Sequence, residues 1–307
     1  MSPIFNQIII MFLIMGVGFV CGKAKLITPE VNRGFSNLAL MVVNPLTTFS
    51  SYLRGYSDEV AVNLLHAFLI SGAAFAIQIL ISVLFVSRKN TEFRIERMSV
   101  MLSNCSYIGI PLVQSVYGSE GVIYLTAYIT VFNLINWTYG LTVMSGERDV
   151  KKMLRSFVNP AIISVFLGMI CFFARIGFPD ILRSSIGQVS NVNTPLAMMI
   201  AGSTLAHTKM KKALLRPKTY YICALKLLVV PMAVMGALYM ISMLGVSADV
   251  VNIVLIACAC PTATIVTMFS HRFGKNSVYS SEIFAICTLL SAASLPAVLR
   301  IASLIGI

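Results

Sequence analysis

The sequence predicts an all-α polytopic membrane protein: ten transmembrane helices arranged as two inverted five-helix repeats. Three observations predict it. The 307-residue chain is 58% hydrophobic and only 11% charged, with a mean hydropathy of +0.87, where a soluble domain carries about 25% charged residues. Its apolar runs are long enough to cross a bilayer, and the loops between them divide the basic residues unequally between two sides. Prolines of the first half recur 150 residues later in the second.

The apolar runs cover 4–22, 30–52, 60–87, 97–117, 120–144, 158–176, 180–206, 218–242, 249–269 and 278–304. A helix rising 1.5 Å per residue needs about 20 residues to cross the hydrocarbon core. The first run has no basic segment before it and is long enough for a full span, so it reads as a helix and not as a cleaved leader. The second and seventh are the least apolar, and their ends are expected along the interface. Short connections leave no separate soluble domain. The chain divides into residues 1–145 as the first five helices, 146–157 as a cytoplasmic connector, and 158–307 as the second five.

Ten spans place the loops alternately on two sides. One side holds 18 basic residues, clustered at 23–33, 88–97, 148–155, 209–218 and 272–275; the other holds four, Arg54, Arg175, Arg183 and Arg300. This asymmetry makes the first side cytoplasmic and puts both termini outside the cytoplasm. It also explains the net charge of +12 without nucleic acid. All seven cysteines lie in apolar segments, and none has the spacing of a zinc or redox motif. No cofactor is implied.

Pro29 and Pro179, Pro45 and Pro195, and Pro111 and Pro261 are each 150 residues apart, as are Arg33 and Arg183. A duplicated unit of five helices, an odd number, enters the membrane from the opposite side. Inverted repeats of this kind are a transporter signature, with substrate near the midplane and broken helices at matching positions. The matched interruptions are Ser103-Asn104-Cys105-Ser106-Tyr107-Ile108-Gly109-Ile110-Pro111 in span four and Cys258-Ala259-Cys260-Pro261-Thr262-Ala263-Thr264 in span nine. Proline removes a backbone donor and crowds the preceding turn, and glycine weakens a helix further. Each proline suits the first turn of a second half-helix. Two half-helix N-termini then converge near mid-membrane, where exposed N–H groups and positive dipole ends favour an anion.

All eleven acidic residues fall in loops or near span ends. Cation exchangers normally keep carboxylates at depth, so a neutral or anionic substrate is expected. Lys226 is the one basic residue well inside a span, about 10–12 Å along its helix from the cytoplasmic end. Two readings stand for it: snorkelling to the interface, or a counter-charge for a substrate carboxylate. Asn44 beside Pro45 and Thr194 beside Pro195 are repeat-related and are nominated to line the cavity, with Asn133 of span five. Gln78, Gln114, Asn136, Asn191 and Asn193 read as interhelical hydrogen-bonding groups. His66, His207 and His271 sit at span ends, and no phosphate loop, nucleophilic triad or metal-spaced cluster appears.

The chain resembles the auxin efflux carrier family, in particular its bacterial malate and organic-acid permeases, over essentially its whole length. The resemblance is carried by the stretch from Asn104 to Leu112, Tyr117-Gly118-Ser119-Glu120-Gly121, the stretch from Val131 to Gly140, Asn193-Thr194-Pro195-Leu196-Ala197, and Cys260-Pro261-Thr262-Ala263. It implies a fold similar to bile-acid symporters and sodium–proton antiporters. In that fold spans four and nine cross at their breaks, spans one, two, six and seven form a scaffold, and spans three to five and eight to ten form a transport domain. Plant members carry a long loop between spans five and six; here only about Ser145 to Phe157 is present, so plant-like regulation is not implied.

The expected function is therefore secondary carriage of a small organic anion, with malate or malonate as the leading substrates, across the cell membrane by an elevator movement. Asn104, Tyr107, Pro111, Pro261 and Thr262 are the primary site residues at the crossing. Asn133, Asn44, Thr194 and Lys226 are secondary ones. The rival within carriers is sodium-coupled symport; a channel or substrate sensor stands further off, and an enzyme is not expected. The partners are the lipid bilayer and a small-molecule carboxylate, with a homodimer left open.

Overall fold

The computed structural model of the chain describes residues 3–53, 57–146, 160–208, 213–243 and 245–306. Most of the expected connector 146–157 lies outside them, as do Arg54, Arg148, Lys151, Lys152, Arg155, Lys209, Lys211 and Lys212. Among the described residues every regular element is helical: α1 (Pro3–Lys23), α2 (Pro29–Leu38), α3 (Asn44–Ser51), α4 (Asp58–Phe85), α5 (Phe93–Met101), α6 (Ile110–Ile135), α7 (Leu141–Ser145), α8 (Pro160–Phe173), α9 (Asp180–Asn191), α10 (Asn193–His207), α11 (Pro217–Ala224), α12 (Val230–Ser242), α13 (Ala248–Ala259), α14 (Ile265–Arg272) and α15 (Ser277–Leu304). Four stretches are long and apolar enough to cross a membrane uninterrupted: Asn6–Lys23, α4, Pro217–Ser242 and α15. The other expected spans are carried by shorter pieces. α6 contains a break of its own at Gly118, whose φ of 64° only glycine adopts readily. It falls between the expected fourth and fifth spans.

The prolines act differently from the sequence reading. Pro45, Pro111 and Pro231 each follow a π turn, at Ala39–Val43, Cys105–Gly109 and Leu225–Val229. The residue before each proline donates its N–H five positions back, to Ala39, Cys105 and Leu225. The wider turn makes room for the ring and keeps the ladder hydrogen-bonded around the missing donor. Pro111 is thus absorbed in a continuous helix, and the interruption in span four lies upstream, between Met101 and Cys105. In span nine Pro261 stands in the interruption itself, between α13 and α14.

Two sets of helices pack mainly within themselves. α1 lies along α10, α2 also packs on α10, and α3 packs on α8 and α9; the second set surrounds α6, α13 and α15. The α1–α10 contact is backbone on backbone. A Cβ on Gly202 would stand 1.9 Å from the Met15 carbonyl oxygen, and one on Gly18 would stand 2.5 Å from that of Met199. Small residues permit such an approach, and in lipid packing of this kind drives helix association. The sets touch where the Tyr52 hydroxyl, just beyond α3, hydrogen-bonds with the Thr126 hydroxyl of α6. Tyr52 also packs edge-on against Phe172 of α8.

Several charges of the basic end are buried. Arg97 donates to the carbonyls of Val83 and Val86, closing the C-terminus of α4. Glu96 is buried in α5 and accepts from Lys218 Nζ at 2.8 Å, Tyr279 OH at 3.0 Å and Asn90 Nδ2 at 2.6 Å. Arg216 Nη1 lies 3.1 Å from Glu282 Oε2, an ion pair without hydrogen-bond alignment, and its guanidinium covers the Tyr279 ring. Pairing of this kind makes a buried carboxylate tolerable. It ties α5, α11 and α15 together at one end.

Candidate functional site

The two interruptions meet. Ser103 and Thr262 form an antiparallel β-bridge, in which Asn104 N–H donates to the Pro261 carbonyl at 2.7 Å and Ala263 N–H to the Leu102 carbonyl at 3.0 Å. Each break thereby supplies the partners that the other lacks, the condition for irregular backbone at membrane depth. These N–H groups are consequently unavailable to a ligand. Beyond the bridge the chain resumes helix at Cys105 and at Ile265, so two helix N-termini begin at the crossing and the C-termini of α5 and α13 end there.

Lys226 belongs to this place. Its side chain is fully buried, which removes the snorkelling reading. Nζ donates to Ser103 Oγ at 2.6 Å and to the Cys258 carbonyl at 3.4 Å. The π turn that accommodates Pro231 contains Lys226, and its extra residue changes which side chains of the span face inward. Behind Ser103 stand Tyr128, whose hydroxyl is 3.3 Å away, and Gln78, which bonds Tyr128 OH through Nε2 at 3.1 Å. Among the described residues no carboxylate pairs with Lys226.

The nominated residues divide by whether their polar atoms are committed. Thr262 is fully buried, and its hydroxyl donates to the Ser99 carbonyl at 3.0 Å, closing the end of α5. Asn133 returns its amide to the Ile129 carbonyl of its own helix at 3.0 Å. Pro261 gives its carbonyl to the bridge, and Pro111 lies inside the following helix. Asn104 and Tyr107 are buried, with Asn104 Nδ2 and Tyr107 OH unpartnered. Asn44, at the start of α3, is buried with Oδ1 unpartnered. At the matching place in the second half Thr194 is half-exposed, and its neighbour Asn193 is the buried residue, with neither amide atom partnered. α10, which begins at Asn193, packs against the Cys105–Gly109 turn.

Sequence reasoning missed Ser103 and Tyr128 as partners of the buried lysine network, and it preferred Thr194 to Asn193. Ser103 carried a signal, as a hydroxyl in the interrupted stretch. Tyr128 carried none, because one tyrosine on an apolar run reads equally well as packing. Among the described residues no group of three or more His, Cys, Asp or Glu could hold a metal ion.

Comparison with known proteins agrees with this architecture. A family model described as membrane transport protein matches residues 3–299. An uncharacterized transporter of Methanothermobacter thermautotrophicus is 24% identical over 202 residues, which cover 65% of this chain and 65% of that protein. The chain thus aligns with just under two thirds of that relative's length. All-helical structure, apolar membrane-length helices and a family match over nearly the whole chain lead to one assignment: the chain is a multi-pass membrane protein and belongs to the membrane transport protein family.

Proposed function

We propose that the chain is a secondary carrier for a small organic anion, a carboxylate with malate and malonate as first candidates, moved across the cell membrane by elevator-type alternating access. The observation that carries this reading is the composition of the crossing. Two helix N-termini and the Lys226 side chain meet at the crossing, and Asn104, at the bridge, and Tyr107, in the turn that follows it, carry unpartnered polar atoms. The buried carboxylates Glu96 and Glu282 are instead paired with Lys218 and Arg216. Cation carriers place carboxylates at depth; helix N-termini and an ammonium suit an anion.

The ten-span inverted repeat, with both termini outside the cytoplasm, is part of this proposal. So is a rigid scaffold of α1–α3 and α8–α10 beside a moving body of α4–α7 and α11–α15. The internal packing of the two sets supports that division, as does a cavity of about 250 Å³ between them, lined by Asn32, His207 and Ser281 among others. Counterflow of radiolabelled malate in proteoliposomes tests the function. Saturable exchange inhibited by other short carboxylates is expected; no exchange with any three- to five-carbon mono- or dicarboxylate would overturn it.

A further inference from the structure

Lys226 stands where a charge is hardest to keep. Its side chain is fully buried at the crossing, in the Leu225–Val229 turn. Nζ meets two acceptors, Ser103 Oγ at 2.6 Å and the Cys258 carbonyl at 3.4 Å. A neutral amine has two N–H groups, and these acceptors engage both; the third N–H of an ammonium would have no partner among the described residues. The titratable groups that face Lys226 are the thiols of Cys105, Cys258, Cys260 and Cys287, with the Tyr128 phenol behind Ser103. None of these is ordinarily an anion at neutral pH. α5 and α15 also pack on the Lys226 turn, but their buried carboxylates Glu96 and Glu282 are committed to Lys218 and Arg216. An ammonium taken out of water is costly unless an anion pairs with it.

We infer that Lys226 carries a coupling proton: its amine is neutral in the empty carrier, takes up a proton as the anion binds, and gives it up as the anion leaves. The inference rests on the carrier reading above and names its ion coupling. The anion brings the negative charge that the surroundings of Lys226 lack, so anion and proton each strengthen binding of the other. The proton comes from water on the side open to the anion and returns to water on the opposite side. Only an N–H bond forms and breaks. A dicarboxylate dianion and one proton then cross together with one net negative charge. Ser103 joins the two events: its hydroxyl holds Nζ, and its backbone lies in the bridge next to Asn104, whose Nδ2 is unpartnered. Without an anion the ammonium is too costly to form in the buried site, so the empty carrier does not leak protons.

Two measurements on the full-length protein test this. The first uses proteoliposomes with malate and an entrapped pH dye, the membrane potential clamped at zero and both sides kept well above the carboxylate range. Wild type should acidify the lumen in step with malate uptake. Making the outside more acid by about one pH unit should drive about tenfold accumulation, the value for one proton per anion. Malate counterflow without proton uptake, or accumulation driven by sodium alone, would overturn the inference and leave the carrier reading intact. Lys226→Met should lose the proton-driven accumulation; a Met variant that still acidifies the lumen in step with uptake would also overturn it. Lack of malate counterflow in wild type would count against the carrier reading instead, and the second measurement then decides. It follows thermal unfolding in detergent without any anion. On unfolding, a neutral Lys226 takes up a proton from water and methionine cannot. Near neutral pH the unfolding constant of wild type should therefore fall about tenfold more per unit rise in pH than that of Lys226→Met. Parallel pH dependence would mean that Lys226 is charged in the folded protein, and would overturn the inference. Should Lys226→Met not fold, Lys226→Gln takes its place in both measurements.

Discussion

Replacing Asn104 with alanine separates a ligand-binding group from a structural one, because the two roles predict opposite signs. Asn104 is buried and its Nδ2 has no partner in the protein. A buried donor left unpaired costs about 1–3 kcal/mol. Its removal should therefore leave the stability of the empty protein unchanged or raise it. The backbone N–H of Asn104, which bonds Pro261, is retained in alanine. If Nδ2 donates to a carboxylate during transport, the loss is that of a hydrogen bond to a charged group, about 1.5–3 kcal/mol. At 1.4 kcal/mol per factor of ten the apparent affinity should weaken roughly 10- to 150-fold. Thr262→Val is the control, since it strips the Ser99 carbonyl of its 3.0 Å donor and should lower stability by about 1–3 kcal/mol. Thermal unfolding in detergent and substrate concentration dependence of counterflow read the two quantities. Wild-type affinity in Asn104→Ala, or a melting loss equal to that of Thr262→Val, would refute the assignment.

Three further outcomes follow from the packing. Gly202→Ala puts a Cβ 1.9 Å from the Met15 carbonyl oxygen, whereas Gly72→Ala in α4 meets nothing within 4 Å. The first should cost about 1–3 kcal/mol or more by forcing α1 from α10, and the second should be neutral or slightly stabilising; melting curves of the two variants compare them directly. Tyr52→Phe removes the hydroxyl bonded to Thr126 and should lower stability by about 1 kcal/mol, read as a lower melting midpoint than wild type. Lys218→Met leaves the buried Glu96 with its Tyr279 and Asn90 donors but without its 2.8 Å ammonium; as Lys218 is half-exposed and two donors remain, the loss should be about 1.5–3 kcal/mol. Lys218→Met combined with Glu96→Gln should recover part of that loss in the same melting assay.

How far the sequence reached depended on whether a feature was local. Membrane class and helical content follow from composition, and the meeting of the interrupted stretches of spans four and nine was anticipated. The position of the first break was not. Pro111 was the visible breaker, yet a π turn one residue longer than an α turn absorbs it, while the interruption falls at Ser103 because Thr262 supplies hydrogen-bonding partners from across the chain. Sequence could not show that Asn193 is buried and its neighbour Thr194 half-exposed, because the packing of α10 decides which of two adjacent residues at a helix start faces inward. Lys226 could be read as snorkelling because its depth was legible and its direction was not; direction depends on the turn made for Pro231. The burial of Glu96 and Glu282 depends on Lys218 and Arg216, which stand beyond the reach of any local pattern.

On the carrier reading proposed above, the unpartnered atoms also constrain which anion would suit the crossing. Asn104 Nδ2 can only donate, and Tyr107 OH can donate or accept. Asn193 offers both an amide nitrogen and an amide oxygen without partners, at the start of the helix that packs on the Cys105–Gly109 turn. A carboxylate supplies acceptors only, so it satisfies the donors and leaves the Asn193 oxygen unpaired. A ligand with a hydroxyl beside its carboxylates satisfies both kinds. Malate should therefore bind better than succinate, its equal in charge and carbon number, by the net worth of one neutral hydrogen bond, about 0.5–1.5 kcal/mol, or roughly 2- to 12-fold. A ligand at 100 times its Kd stabilises the native state by about 2.7 kcal/mol, so melting shifts across a concentration series give both affinities in one assay. In Asn193→Leu the preference should vanish while both dicarboxylates still shift the curve. A preference that survives in Asn193→Leu, or succinate binding as tightly as malate to wild type, would place the hydroxyl-reading group elsewhere and remove Asn193 from the site.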